Sequence, residues 1–341
     1  MKLINLFIYL VGALMISTAN AELIVLAAPS SSDEYYADVV DDIFNFHVEF
    51  AKKIDGHDDV LILTDNSSYN RYASVLGKEK VVIAPMSDIW MRDFTTVNPE
   101  LPVMFRYTAE GQGGGQKGQK HADLVQEELA IIAEDANIKF RESDLLNDGG
   151  NFVDDYAGNL VVSRKFLRDN NLTETKGRET LRKLTKAKNI AFIDADEQGG
   201  LEHADGVVSF VDTNTLLVNS YPEDPLYSQQ LKADLKSGLP GIKIFEVITP
   251  YDGSQIYDDR FGSACGLYTN ALVTPKRIYF PQFGIPEDKI AIEQVKLSTT
   301  REVIPVASHQ VCQMGGGVRC MSWQLRPKAA LLLKEYFQIS Y

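Results

Sequence analysis

Three cysteines, two tryptophans and five histidines are scarce in 341 residues, too few for a disulfide scaffold. No Cys/His spacing suits structural zinc, so no metal is expected. Basic charge is also in deficit. Lys+Arg number 34 against 47 Asp+Glu, a net −13, so no global basic field draws the chain to nucleic acid or anionic lipid. Repeated long apolar runs are absent, which excludes a polytopic membrane protein. No Pro/Ser-rich linker or shift of composition divides the chain, and one domain spanning residues 22–341 is expected. The glycine-rich stretch Gly111–Gly118 lacks the Gly-Lys-Ser/Thr ending of a phosphate cradle and reads as a mobile loop. What is present, 45% hydrophobic and 24% charged residues, belongs to a folded protein long enough to bury a full core.

The N-terminus carries a targeting pattern. Lys2 supplies positive charge, Leu3 to Ile16 is apolar except for Asn5, and Ala19-Asn20-Ala21 is a small-x-small cleavage site. Residues 1–21 are therefore expected to be a signal peptide. The mature protein would be exported to periplasm or medium, without stable membrane association after cleavage. All three cysteines lie in the mature chain and cannot all pair internally. Cys312 is able to bond with Cys265 or with Cys320, and the apolar setting of Cys265 also fits a buried thiol.

Strand and helix patterns alternate along the chain. Leu23–Leu26, Val60–Leu63, Val81–Ala84, Leu160–Val162, Ile190–Ile193, Val207–Val211, Leu216–Val218, Ile242–Val247, Ala271–Val273 and Arg277–Phe280 read as strands. Tyr36–Lys53, Ala122–Ala136 and Ala329–Phe337 read as helices. Five polar clusters punctuate this α/β pattern, marked by Asp93, Gly150, His203, Asn270 and Cys320. Their spacings of 57, 53, 67 and 50 residues each leave room for one supersecondary unit. A period of that length hints at a closed repeat architecture whose loops meet at an axis.

The clusters contain the elements of nucleophilic catalysis. Gly315-Gly316-Gly317 precedes Val318-Arg319-Cys320, and a thiol beside Arg319 is expected to have a lowered pKa. His203, between Glu202 and Asp205, suits a general acid/base. Asp93 and Asp205 are able to grip a planar cation through paired hydrogen bonds, and Trp90 to cover it. Arg92 beside Asp93 equally fits an internal ion pair, and Asp148 before Gly149-Gly150 fits a turn. His47, His57 and His121 are expected in solvated or packed roles, while His309, near Cys312, is a candidate supporting residue.

In order and spacing, Trp90-x-Arg92-Asp93, Gly149-Gly150-Asn151-Phe152, His203-x-Asp205-Gly206, Thr269-Asn270 and Gly316-Gly317-x-x-Cys320 resemble the agmatine deiminase and bacterial, Porphyromonas-type peptidylarginine deiminase family. The resemblance spans nearly the whole mature chain. It implies a pentein-like fold, a five-fold pseudo-symmetric α/β propeller with an axial site. Cys320 would then be the nucleophile, His203 the acid/base, and Asp93 and Asp205 the guanidinium clamp. Trp90, Asp148, Asn151 and Asn270 would line or support the substrate pocket. No cofactor is implied. The expected partner is a small cationic guanidino compound, agmatine or arginine, or an arginine-containing peptide. Two departures bear on the pocket: Phe94-Thr95-Thr96 follows Asp93 where many relatives carry a Gly-Pro turn, and Asp148 stands where agmatine-specific members often carry glutamate. The region after Asp93 offers Arg106, Lys117 and Lys120 but no arginine pair for a substrate carboxylate. An exported cysteine hydrolase of peptide bonds and a non-catalytic guanidine-binding protein are the alternatives; the latter requires Cys320 to be bonded or unreactive.

Overall fold

A computed structural model describes residues 21–195, 201–258 and 260–339. Most of the signal-peptide reading, residues 1–20, lies outside them. Among the described residues no helix is long and apolar enough to cross a membrane.

One connectivity recurs. Val153–Asp154 pairs antiparallel with Asn159–Ser163, a helix, Glu174–Thr185, follows, and Asn189–Ile193 returns parallel to the middle strand. The same order is seen in Val208–Asp212, Thr215–Asn219, helix Pro225–Gly238 and Lys243–Val247. It is seen again in Leu272–Val273, Arg277–Gln282, helix Glu287–Ser298 and Glu302–Ala307. Around Val103–Arg106 the antiparallel partner shrinks to a single bridge from Val97, helix Gly115–Asp135 follows, and Arg141–Leu146 lies parallel. The remaining unit is split between the chain's ends. Trp323–Leu325 pairs antiparallel with Leu23–Ala27, helix Val40–Ile54 follows, and Asp59–Thr64 returns parallel, with Val81–Ile83 beyond it.

The parallel central strands read as continuous apolar runs because both faces are covered. In Leu23–Ala27, the odd-numbered side chains pack with Phe94, Met104 and Leu129 of the next unit. Ile24 and Leu26 point the other way, toward Tyr279 and Ile304 of the unit before Cys320. Further buried clusters join Phe105 with Leu160, Val161 with Leu216, and Leu217 with Ile278. Each unit thus shares a core with the next one in the chain.

Two local expectations are corrected. Helix Gly115–Asp135 begins inside the glycine-rich stretch, so Gly115–Gly118 are its first turn rather than loop. Of the two partners open to Cys312, Cys265 is the one bonded, so Cys265 is not a buried thiol and Cys320 is left free.

Candidate active site

Each polar cluster lies immediately upstream of the first strand, or bridge, of a unit. Asp93 closes the one-turn helix Met91–Phe94, Asp148 leads into the tight turn Gly149–Asn151, and His203 leads into the turn Ala204–Gly206. Asn270 precedes Leu272–Val273 and Cys320 precedes Trp323–Leu325. Side chains from five separate stretches of sequence meet in this way. Backbone bonds cross-link them: Arg92 N–H donates to the Cys320 carbonyl at 3.0 Å, and Arg319 N–H to the Asn270 carbonyl at 3.3 Å.

Cys320 is buried, and the Asn270 Nδ2 amide donates to its sulfur at 2.9 Å. Asp205 Oδ2 lies 4.0 Å from the same sulfur. Burial pushes the thiol well above its usual range, and the Asp205 and Asp93 charges push the same way. This overturns the lowered pKa expected from Arg319. That guanidinium is turned onto Asp205, with Nη1 at 2.5 Å from Oδ2, while Nη2 donates to the Phe152 carbonyl at 2.7 Å.

The two ring nitrogens of His203 lie 3.0 Å from Asp148 Oδ2 and 3.7 Å from Asp93 Oδ1. Asp148 is itself held by Thr108, whose N–H and hydroxyl each donate to it at 2.8 Å. Asp148 therefore orients the imidazole, a more specific task than capping a turn. Gly150 N–H donates to Asp93 at 3.0 Å. A Cβ on Gly150 would stand 2.4 Å from His203 Nδ1 and 2.8 Å from Asp93 Oδ1, so only glycine allows this approach. Gly316 does the same between Trp90 and Cys320, at 2.4 and 2.9 Å. Burial raises the Asp93 carboxyl above the usual carboxylate range, opposed chiefly by His203.

A small cavity of about 30 Å³ is bounded by Trp90, Asp93, Asp148, His203 and Cys320. It shares Trp90, Gly111 and Phe261 with an outer groove of about 800 Å³. A separate chamber of about 500 Å³ borders it through His203, Gly315 and Cys320, and includes Asp205 and Asn270 in its wall.

Seven of the eight residues singled out from sequence thus line these spaces. Asn151 does not. Its amide donates to Asn147 at 3.0 Å and accepts from Ser163 N–H at 2.7 Å, so it braces the turn behind Asp148. Arg92 forms no ion pair with Asp93; it is buried, and its pKa is pushed down to about 10 by burial and then by Arg319. His309 is exposed and lines none of these spaces. His47 is packed, as expected, against Tyr72. Thr108 and Phe261 carry no motif that announces them. Arg319 was visible beside Cys320, but its bond to Asp205 is a contact across 114 residues. Among the described residues no cluster of His, Cys, Asp and Glu is arranged to hold a metal.

The fold matches solved structures. C. jejuni agmatine deiminase superposes with a TM-score of 0.73 at 19% identity, covering 91% of this chain and 94% of that one. Enterococcus faecalis agmatine deiminase gives 0.71 at 17%, covering 91% and 94%. Pseudomonas aeruginosa DDAH, a more distant match, gives 0.50 at 13%, covering 89% and 98%. The family model described as "Porphyromonas-type peptidyl-arginine deiminase" matches residues 15–326. With that match extending over nearly the whole chain and through Cys320, the protein belongs to the Porphyromonas-type peptidylarginine deiminase and agmatine deiminase family.

Proposed function

We propose that the protein hydrolyses a guanidino group to a ureido group and ammonia, through a covalent intermediate on Cys320, with agmatine as the first candidate substrate. The observation that carries this reading is the meeting of a single free thiol, an oriented histidine and two buried aspartates where two adjoining cavities share His203 and Cys320. The cation enters between Asp93 and Asp205 and under Trp90, and its charge offsets the carboxylates that oppose thiolate formation. Asp205 already accepts from Arg319, so its grip is through the other oxygen rather than the paired bonds expected from sequence. The thiolate attacks the guanidinium carbon, and His203 gives a proton to the departing ammonia. Water, deprotonated by His203, attacks the amidino-cysteine carbon, and the ureido product leaves as the thiolate is restored.

Agmatine is favoured over arginine by charge. Among the described residues, the lining of the 500 Å³ chamber includes Glu223 and Asp224 and no lysine or arginine, which suits an ammonium tail and leaves a carboxylate unmatched. The outer groove supports a second reading, an arginine-containing peptide, because Lys117 and Arg260 line it. The free Cys320 thiol argues against the non-catalytic alternative. The shared cores and the pairing of Trp323–Leu325 with Leu23–Ala27 support closure of the five units into a propeller. The Cys265–Cys312 disulfide supports export to an oxidising compartment.

The test is ammonia release from agmatine, free arginine and an arginine-terminated peptide, with Cys320→Ala as the blank. Agmatine is expected to turn over fastest, and Cys320→Ala to abolish release while keeping the thermal midpoint. Full activity in that variant, or no ammonia from any of the three, would defeat the proposal.

A further inference from the structure

Arg319 directly precedes the proposed nucleophile, yet its side chain turns away from the sulfur. Its Nη1 reaches Asp205 Oδ2 at 2.5 Å and the Gly149 carbonyl at 3.5 Å, and its Nη2 the Phe152 carbonyl at 2.7 Å. One guanidinium thereby joins three of the converging loops: its own, that of Asp148, and that of His203. Its main-chain N–H is fixed as well, donating to Asn270 Oδ1 at 3.3 Å, while Asn270 Nδ2 donates to the Cys320 sulfur. Asp205 in turn stands 4.0 Å from that sulfur. A bare carboxylate there would oppose a thiolate strongly, since both are buried and water screens neither.

We propose that Arg319 is a positioning residue that pins the Asp205 carboxylate and offsets much of its charge, so that the Cys320 thiolate forms beside an ion pair rather than a lone anion. The proposal rests on Cys320 as the reactive thiol. Several other charged groups face the same space. What remains of the Asp205 charge, and Asp93, oppose the thiolate; His203 and Asp148 lie across the cavity; Arg92, Asp154 and Tyr156 surround the Arg319 guanidinium. The coupling runs both ways, because Asp205, and more weakly the Cys320 charge, hold Arg319 protonated against its burial.

The experiment is alkylation of the intact, disulfide-bonded protein by iodoacetamide from pH 7 to 10, without substrate. Cys320 is the single free cysteine, so the modified site is unambiguous. An opposite charge at this range moves a pKa by roughly one unit or more, which is about tenfold in rate below the midpoint. Arg319→Gln is expected to slow alkylation about tenfold at each pH, displacing the profile upward by roughly one unit. Asp205→Asn leaves Arg319 uncompensated and is expected to speed it by a similar factor. The double variant returns close to the wild-type profile. Arg319→Lys keeps the charge but loses the forked contacts, and falls between wild type and Arg319→Gln.

A purely structural role for Arg319 would not make the double variant recover. A wild-type profile in folded Arg319→Gln, or no recovery in the double variant, overturns the proposal. If Arg319→Gln does not fold, Asp205→Asn decides, since an unmoved or slower rate there overturns it equally. Because no substrate is present, this outcome is independent of which guanidine, if any, is hydrolysed.

Discussion

At the scale of single residues, the site is dominated by carboxyl groups that the fold holds out of water. Burial raises Asp93, pushes Asp88 up to about 6 and Asp154 up to about 7. A carboxyl raised in this way keeps a proton in the folded state that the unfolded chain, with a pKa near 4, has released. Stability then falls as pH climbs from about 4 through the raised value. The ligand-free protein is therefore expected to have a lower urea midpoint at pH 8.5 than at pH 6, and Asp93→Asn to lessen that difference. An equal or larger difference in Asp93→Asn would show that Asp93 is not held protonated. A guanidinium ligand should act oppositely, because it displaces the proton from Asp93 and binds more tightly as pH rises.

The residue types at this site were legible because they cluster: a cysteine after three glycines, a histidine between acids, a tryptophan beside an aspartate. Their partners were not. Thr108 and the bond from Arg319 to Asp205 depend on contacts across 40 and 114 residues, and no local spacing encodes them. Asn151 is the converse case, a motif residue whose side chain bonds to the scaffold at Asn147 and Ser163.

Elements followed the apolar pattern where burial was complete. Leu23–Ala27 and Leu216–Val218 announce themselves as unbroken apolar runs. Arg141–Leu146 does not, since it is an exposed edge strand with charged residues along it. Helix Glu174–Thr185 buries only Gly177, Leu181 and Thr185, a stripe too narrow to stand out in a polar segment. The irregular stretch between Lys243–Val247 and Leu272–Val273 has no sheet or helix among its described residues to fix it. It is tied instead by the Cys265–Cys312 bond and by hydrogen bonds such as Tyr257 N–H to the Gln313 carbonyl. The bond closes a sequence separation of 47 residues. Its removal in Cys265→Ser/Cys312→Ser is expected to cost about 2–4 kcal/mol in urea unfolding. Alkylation of Cys320 should persist, because its contacts to Asn270 and Gly317 involve neither bridged cysteine. Unchanged stability would mean that the hydrogen bonds alone hold this wall.

At the scale of the whole molecule, the near-regular spacing of the polar clusters reflected five units of one connectivity. The shared cores could not be read in advance, because the strands that build them have little sequence in common. If the units close on themselves, the position of the chain's ends is incidental. A circular permutant that joins residue 339 to residue 22 through a Gly/Ser linker, with new ends in the exposed turn at Asn171, is then expected to fold with a native circular dichroism spectrum and a reactive Cys320. An unfolded or aggregated permutant would count against closure. Chain order matters in another way. Leu23–Ala27 lies early in the chain, yet its antiparallel partner, Trp323–Leu325, emerges about 300 residues later, which at ribosomal speeds of 5–20 residues/s is on the order of tens of seconds. The same late stretch delivers Cys320. On the proposed mechanism, the segment that completes the first sheet therefore also brings in the reactive thiol, and a chain that stops short of it lacks both.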